Sequence, residues 1–377
     1  MFTCVCAFFV VPLQSMAGIY IHIPFCKSRC RYCDFFSTTQ LEKRETYIQA
    51  VIQEWQTYQQ QWSKQKINTI YLGGGTPSLL PIESLHLLLH SILSNIDSST
   101  IREITLEANP GDITTQKIQA WRSLGINRLS MGIQSFNDRL LQLVGRRHNA
   151  LQALQAVKIA QAEGISNISI DLMYALPGQT ITEWQADVAQ ALALHVPHIS
   201  SYGLIYEEGT PLTKWLEQGK ITAIDEENEV QMYDYLVEQL TKHGYEHYEV
   251  SNFAQPGQHS QHNSSYWNDT PYLGLGAGAH SYDGQTRWWN IEDIDQYIAQ
   301  AMNHQLTPEQ ETISPEERHT EQVMLGLRTS KGVQCNAVRM DKAQAYITKG
   351  YLIQQGNHII ATTQGFHILN KIIADLV

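Results

Sequence analysis

Cys26, Cys30 and Cys33, in the run Tyr20-Ile-His-Ile-Pro-Phe-Cys-Lys-Ser-Arg-Cys-Arg-Tyr-Cys, carry the most evident chemistry of the chain. Thiolates are soft ligands, and three within one short loop read as an iron-sulfur site. A four-iron cluster takes one outer ligand per iron, so three thiolates leave one iron open to an exogenous ligand. Two alternatives use the same residues. Zinc needs a fourth protein ligand; His22 is the nearest candidate, and no second Cys-x2-Cys or His pair follows at finger-like spacing. A redox dithiol at Cys30 and Cys33 leaves Cys26 without a role.

A second set of polar residues falls where strand-like runs end. Gly73-Gly74-Gly75-Thr76-Pro77 follows the run Ile67 to Leu72. Glycines there let backbone approach a ligand closely, and their free N–H and C=O groups can bond a zwitterionic amino acid; the structural alternative is a tight strand-to-helix turn. Glu107 ends the run Ile101 to Ala108, where a carboxylate can accept hydrogen bonds from ribose hydroxyls. Gln134 ends the run that starts at Arg128. Either residue alone is equally well a solvated strand end. Asp171 interrupts the apolar run Ile168 to Tyr174 and needs a partner or a ligand, with Arg146 the expected partner.

The run His262-Asn-Ser-Ser-Tyr266-Trp267 offers a neutral imidazole for axial iron ligation and aromatic faces, Tyr266 and Trp267, that can stack on a flat macrocycle. The alternative is that His262, one of 15 histidines, hydrogen-bonds within a polar loop. His280, in Gly-Ala-Gly-Ala-His-Ser, is a weaker second candidate of the same kind, for which a structural role is the favoured reading. Lys27, Arg29 and Arg31 read as solvated charges that would attract the acidic face of an electron donor.

The elements that must position these residues follow from hydrophobic periodicity. Six strand-like runs, Ile19 to Ile23, Ile67 to Leu72, Ile101 to Ala108, Arg128 to Ile133, Ile168 to Tyr174 and Ile199 to Ile205, alternate with helical stretches. Helical spacing marks Leu41 to Trp62, Ile82 to Leu93, Leu151 to Ala162 and Ile181 to Leu194. The expected fold class is α/β: a partial, TIM-like (β/α)6 barrel over residues 17–251. Residues 252–290, dense in Gly, His, Asn, Tyr and Trp, read as a loop-like bridge or lid. Residues 291–377 read as a smaller α+β, winged-helix-like domain whose hairpin turns at Gly356-Asn357.

Composition bounds the partners. The 26 basic and 37 acidic residues give a net charge of −11, which opposes general binding to nucleic acid or anionic membranes. Six cysteines are too few for a disulfide scaffold in a chain of 377 residues, which places the protein in a reducing cytoplasm. No stretch approaches membrane-spanning length, so no stable membrane insertion is expected. Residues 1–16 make a poor signal peptide and read as a disordered extension without function, with Met16 as the real start.

The Cys-x3-Cys-x2-Cys spacing resembles the radical S-adenosylmethionine (SAM) superfamily. Together with Gly-Gly-Gly-Thr-Pro at 73 to 77, Glu107-Ala-Asn-Pro, Gly-Ile-Gln-Ser-Phe at 132 to 136 and Asp171-Leu-Met-Tyr-Ala-Leu-Pro-Gly, it resembles the oxygen-independent coproporphyrinogen III dehydrogenase family over nearly the whole chain. Glu207-Glu-Gly-Thr-Pro-Leu212, Ser251-Asn-Phe-Ala254 and His262 to Trp267 are similar to its HemW haem-chaperone branch. The resemblance implies a 4Fe-4S cluster on Cys26, Cys30 and Cys33, with the amino and carboxylate groups of SAM on the vacant iron and Tyr32 beside the cluster. It implies SAM contacts from Tyr20, Gly74, Gly75 and Thr76, and from Glu107, Gln134, Arg146 and Asp171. It also implies haem as a ligand, at His262, Tyr266 and Trp267, a haem acceptor protein such as a respiratory enzyme, and an electron donor. The alternative activity is the family's oxidative decarboxylation of coproporphyrinogen III. Against it, that enzyme has a further cysteine two positions after the third ligand, where this chain has Phe35, and a longer segment ahead of its first strand than the nineteen residues before Tyr20.

Overall fold

In a computed structural model residues 16–377 are described; the expected N-terminal extension, Met16 apart, lies outside them. Met16 itself opens the first strand, β1 (Met16–Ile23), which is followed by β2 (Lys66–Gly74), β3 (Glu103–Ala108), β4 (Arg128–Gln134), β5 (Asn167–Tyr174) and β6 (His198–Gly203). These six lie side by side in chain order and pair in parallel. Between them run α1 (Arg44–Trp62), α2 (Ile82–Leu93), α3 (Thr115–Ser123), α4 (Asp138–Leu143), α5 (Ala150–Ala162) and α6 (Ile181–Ala193). Parallel pairing needs such crossovers, and each helix starts where the sequence supplies a cap or a good helix former. Asn149 and Thr180 form capping boxes with Gln152 and Glu183 at the starts of α5 and α6.

Alternation along the strands separates two environments. Ile19, Ile21 and Ile23 of β1, Ile70 and Leu72 of β2, Leu129 and Met131 of β4, and Ile168 and Ile170 of β5 are fully buried in one core with Trp55, Leu88, Val157 and Trp184 of the helices. At roughly 25 cal/mol per Å2 of apolar surface removed from water, this layer dominates the stabilisation of the barrel. The intervening residues are polar and face the inside: Tyr20, Tyr71, Glu107, Ser130, Asp171 and Ser200 reach shared cavities from six successive strands. This is the expected partial (β/α)6 barrel.

After β6 come α7 (Pro211–Glu217), α8 (Glu226–Lys242), β7 (Glu246–Glu249), β8 (Asn252–Ala254), α9 (Gln261–Trp267), β9 (Tyr272–Leu275), β10 (His280–Tyr282), β11 (Thr286–Trp289), α10 (Ile294–Met302) and β12 (Glu309–Thr312). The strands complete a 12-stranded sheet in the order β12-β11-β10-β9-β1-β2-β3-β4-β5-β6-β8-β7, with β9 parallel to β1. Residues 252–290 are therefore woven into the main sheet rather than forming a loop-like bridge. Their strands are only three or four residues long, too short for alternation to show, and glycine-bearing turns separate them, so pairing with neighbours is what marks them as strands.

The smaller C-terminal unit begins later than residue 291. Tyr297 and Ala301 of α10 are buried in the barrel core. A separate core joins Val323 and Leu327 of α11 (Pro315–Leu327), Val333 of β13 (Val333–Gln334), Ala343 of α12 (Met340–Thr348), Leu352 of β14 (Leu352–Gln355) and Ile359 of β15 (His358–Ala361). It is closed by Ile372 and Leu376 near the C-terminus. The hairpin β14-β15 turns at Gly356-Asn357, with Gly356 at φ 59°. No helix among the described residues is long and apolar enough to cross a membrane.

Gly274 shows how tightly β9 and β10 approach: a Cβ there would overlap the backbone carbonyl of His280. Because backbone cannot move aside as a side-chain tip can, Gly274→Ala is expected to lower stability by about 2 kcal/mol or more, read by denaturant unfolding.

Candidate functional site

The cysteine loop is positioned by backbone contact with the turn after β2. The Gly75 amide donates to the Ile23 carbonyl at 2.9 Å. A Cβ on Gly75 would stand 2.7 Å from the Pro24 carbonyl carbon, and one on Gly74, at φ 108°, 2.5 Å from the His22 ring. Only glycine permits this approach. The turn therefore serves the close packing that the structural alternative describes, and it also brings Thr76 to Cys26, with Oγ1 and Sγ 3.5 Å apart. Arg146 donates to Cys30 Sγ at 3.3 Å and to the Gly132 carbonyl. Tyr32 packs against the apolar cluster of Leu140, Val144 and Leu212 and faces the same cavity as the cysteines.

That cavity, about 420 Å3, extends from Cys26, Cys30 and Cys33 past Gly74 and Thr76 to Glu107, Gln134, Arg146 and Asp171. It has the size of a cofactor site. The three half-buried thiols line it, yet among the described residues no three His, Cys, Asp or Glu side chains converge on a single ion. This donor set fits a cluster in which each thiolate serves a different iron. Burial pushes the Cys33 thiol up to about 11 and raises Cys26, so positive charge must enter the loop for these sulfurs to ionise.

Glu107 accepts from Tyr71 Oη at 2.8 Å and from the Gly74 amide at 3.0 Å. Burial holds its carboxyl at about 7 against these donors, and nearby Asp171 adds to the rise. Gln134 sits at φ 72° beside a register shift in β4, and Gly132 leaves room for its amide and for the Arg146 guanidinium. Asp171, raised by burial and countered by Arg128 and Arg146, is hydrogen-bonded to Ser130 at 3.4 Å. Arg146 acts on Asp171 through its field, while its own hydrogen bonds go to Cys30 and Gly132. Its Nε is buried without a partner among the described residues, a donor left for a ligand.

Tyr20 donates to His22 Nδ1 at 2.9 Å, and His22 Nε2 donates to the Phe36 carbonyl at 2.9 Å. Tyr20 does not reach the main cavity; it lines two flanking ones. His262 enters the barrel interior on α9 and is fully buried. Its Nδ1 is bonded to Thr69 Oγ1 at 2.8 Å and its Nε2 to Tyr266 Oη at 2.9 Å, and its ring stacks on Tyr71 with centroids 5.1 Å apart. Burial keeps the imidazole neutral, with its pKa lowered to about 3. An iron bond at either nitrogen must displace one of these partners. Trp267 and Tyr266 line a second cavity with Tyr202 and Arg328.

Residues 20–191 match the family model of the radical SAM superfamily. The chain is 36% identical over 372 residues to the heme chaperone HemW of Lactococcus lactis subsp. lactis (strain IL1403), covering 96% of this chain and 97% of that one. The chain belongs to the HemW family of radical SAM proteins. The HemW of Bacillus subtilis (strain 168) is 37% identical over 84% of this chain and 85% of its own length. The coproporphyrinogen III oxidase HemN of Escherichia coli, a solved structure, superposes with a TM-score of 0.82 at 21% identity, covering 96% of this chain and 90% of that one. That likeness shows a shared fold.

Three features of this HemW-family site escape the sequence. Lys27 and Arg31 make contacts that the sequence did not signal: Lys27, exposed, pairs with buried Asp112 at 3.4 Å, and Arg31 donates to the Gln142 and Leu143 carbonyls at the end of α4 and lies 4.8 Å over the Trp215 ring. Arg29 is likewise exposed, touching the Phe35 carbonyl at 3.5 Å. The third feature is Glu54, on the buried face of α1. It accepts from the Gly276 amide at 2.7 Å, Asn290 Nδ2 at 2.6 Å and Tyr297 Oη at 2.5 Å, fixing the turn between β9 and β10. Nothing but a lone carboxylate at an apolar helix position signals it.

Burial raises the Glu54 pKa to about 7, so this group favours the folded state fully below its unfolded value near 4.5 and loses that contribution as pH rises through 7. Buried histidines with lowered pKa act in the opposite sense below about 6.5. The difference between wild type and Glu54→Gln cancels them: wild type is expected to lose stability relative to the variant between pH 5 and pH 8, by about 1 to 3 kcal/mol, measured by unfolding at both pH values.

Proposed function

We propose that this chain is a haem chaperone: it holds a 4Fe-4S cluster at Cys26, Cys30 and Cys33, binds SAM in the barrel mouth, binds haem, and passes it to an acceptor protein in the cytoplasm. The observation that carries the reading is near full-length relatedness to curated heme chaperones, 36% identity over 97% of one of them. The geometry is compatible. Three thiols, a glycine turn and the Glu107, Gln134, Arg146 and Asp171 side chains share one cavity.

In this role a bound cluster supplies an open iron corner and a one-electron donor. The chain's own residues do the rest. Arg146 supports the negative charge of Cys30, Thr76 approaches Cys26, and Glu107 holds the glycine turn in place through the Gly74 amide. Exposed Arg29 offers a positive point beside the loop for an electron donor's acidic face. The decarboxylase reading has the shared fold in its favour, and fold alone does not carry activity.

Two measurements test this. Hemin titrated into anoxically reconstituted protein is expected to give a shifted Soret band that saturates near one equivalent; a spectrum identical to free hemin contradicts the chaperone. Anaerobic incubation with coproporphyrinogen III, reductant and SAM is expected to yield no protoporphyrinogen, and its formation excludes a pure chaperone.

A further inference from the structure

We infer that His280, on the first residue of β10, supplies the axial nitrogen to haem iron, with the porphyrin seated in the cavity between the cysteine loop and the β9-β10 edge. This inference rests on the haem-chaperone reading and names the ligand within it.

Three histidines line the cavities of the barrel mouth: His22, His262 and His280. Iron takes a ring nitrogen whose lone pair is free. His22 and His262 each have both nitrogens engaged in hydrogen bonds of 2.8 or 2.9 Å, and both are buried. His280 is exposed, and among the described residues neither of its ring nitrogens has a hydrogen-bond partner. Its ring is nevertheless held: it stacks on Trp289 with centroids 5.5 Å apart and planes at 21°.

The backbone beneath it is fixed more firmly than its surface position suggests. β10 pairs with β9 and β11, Gly274 meets the His280 carbonyl, and the preceding turn is tied to Glu54 and Tyr47 through the Gly276 and Ala277 amides. A ligand on such an edge is positioned without closing a loop.

The cavity beside it, about 410 Å3, is walled by Tyr20, Phe35, Phe36 and Tyr272. Flat aromatic faces suit a porphyrin plane. Phe35 is 66% exposed and stands two residues after Cys33, so it offers apolar area to a ligand and nothing covers it among the described residues. Asp34 and Glu292 are the charged groups of the wall, with no Lys or Arg. A ferric porphyrin carries its positive charge at the metal, which carboxylates near the iron favour; the propionates then extend past the rim to water.

The test compares hemin binding by wild type, His280→Ala, His280→Gly and His262→Ala, read by the Soret band and by electron paramagnetic resonance of the ferric state. His280 is exposed, so its replacement leaves the fold intact. We expect His280→Ala to bind hemin at least about tenfold more weakly, with altered resonance. Free imidazole added to His280→Gly is expected to restore the wild-type spectrum. Wild-type binding with an unchanged spectrum and affinity in His280→Ala overturns the assignment and leaves the chaperone reading intact. A wild-type protein without a shifted band overturns both. Loss of the wild-type spectrum in folded His262→Ala, with His280→Ala unaffected, assigns the bond to His262 instead.

Discussion

The close approach of two backbones, Ile23 to Phe25 on one side and Gly73 to Gly75 on the other, is the constraint on which the site depends. A loop with three cysteines and several charges has no reason of its own to hold one shape. Here it is pinned along its length: by the Gly75 amide to Ile23, by Lys27 to Asp112, by Arg31 to the end of α4, and by Arg146 to Cys30. These contacts come from the segments after β2, β3 and β4. The sulfurs are thereby placed by the barrel and not by their own segment, which is the arrangement a metal site needs if its ligands are to be ready before the metal arrives.

The polar barrel interior is the second consequence of sequence alternation. A closed barrel fills its centre with branched apolar side chains. In this partial one the inward positions are Tyr, Thr, Glu, Ser, Arg and Asp, and they are satisfied by one another and by α9, which inserts His262 between Thr69, Tyr71 and Tyr266. Such a network is costly unless complete. Its unsatisfied members, among them Arg146 Nε and two nitrogens of Arg128, mark where a ligand or water would add to it.

Much of this was legible beforehand, for physical reasons. Strand-like apolar runs marked six strands, and Glu107, Gln134 and Asp171 on three adjacent parallel strands had to meet; they share the cavity with the cysteines and with Arg146 from the segment after α4. Residues 252–290 misled because their strands are only three or four residues long, too short to show alternation, and lie among glycine-bearing turns; Gly274 must be glycine for β10 to lie on β9. The domain boundary slipped for a similar reason, since α10 is amphipathic whichever core it joins. Glu54 and the clamps made by Lys27 and Arg31 depend on contacts more than 80 residues away in the chain, which no local pattern encodes.

Mössbauer spectroscopy of anoxically reconstituted, iron-57-enriched protein, with and without SAM, examines the three-thiolate site most directly. The account predicts a four-iron cluster in which one iron changes its isomer shift and quadrupole splitting on SAM addition while three do not. Spectra unaltered by SAM, or preparations that contain no inorganic sulfide, contradict it.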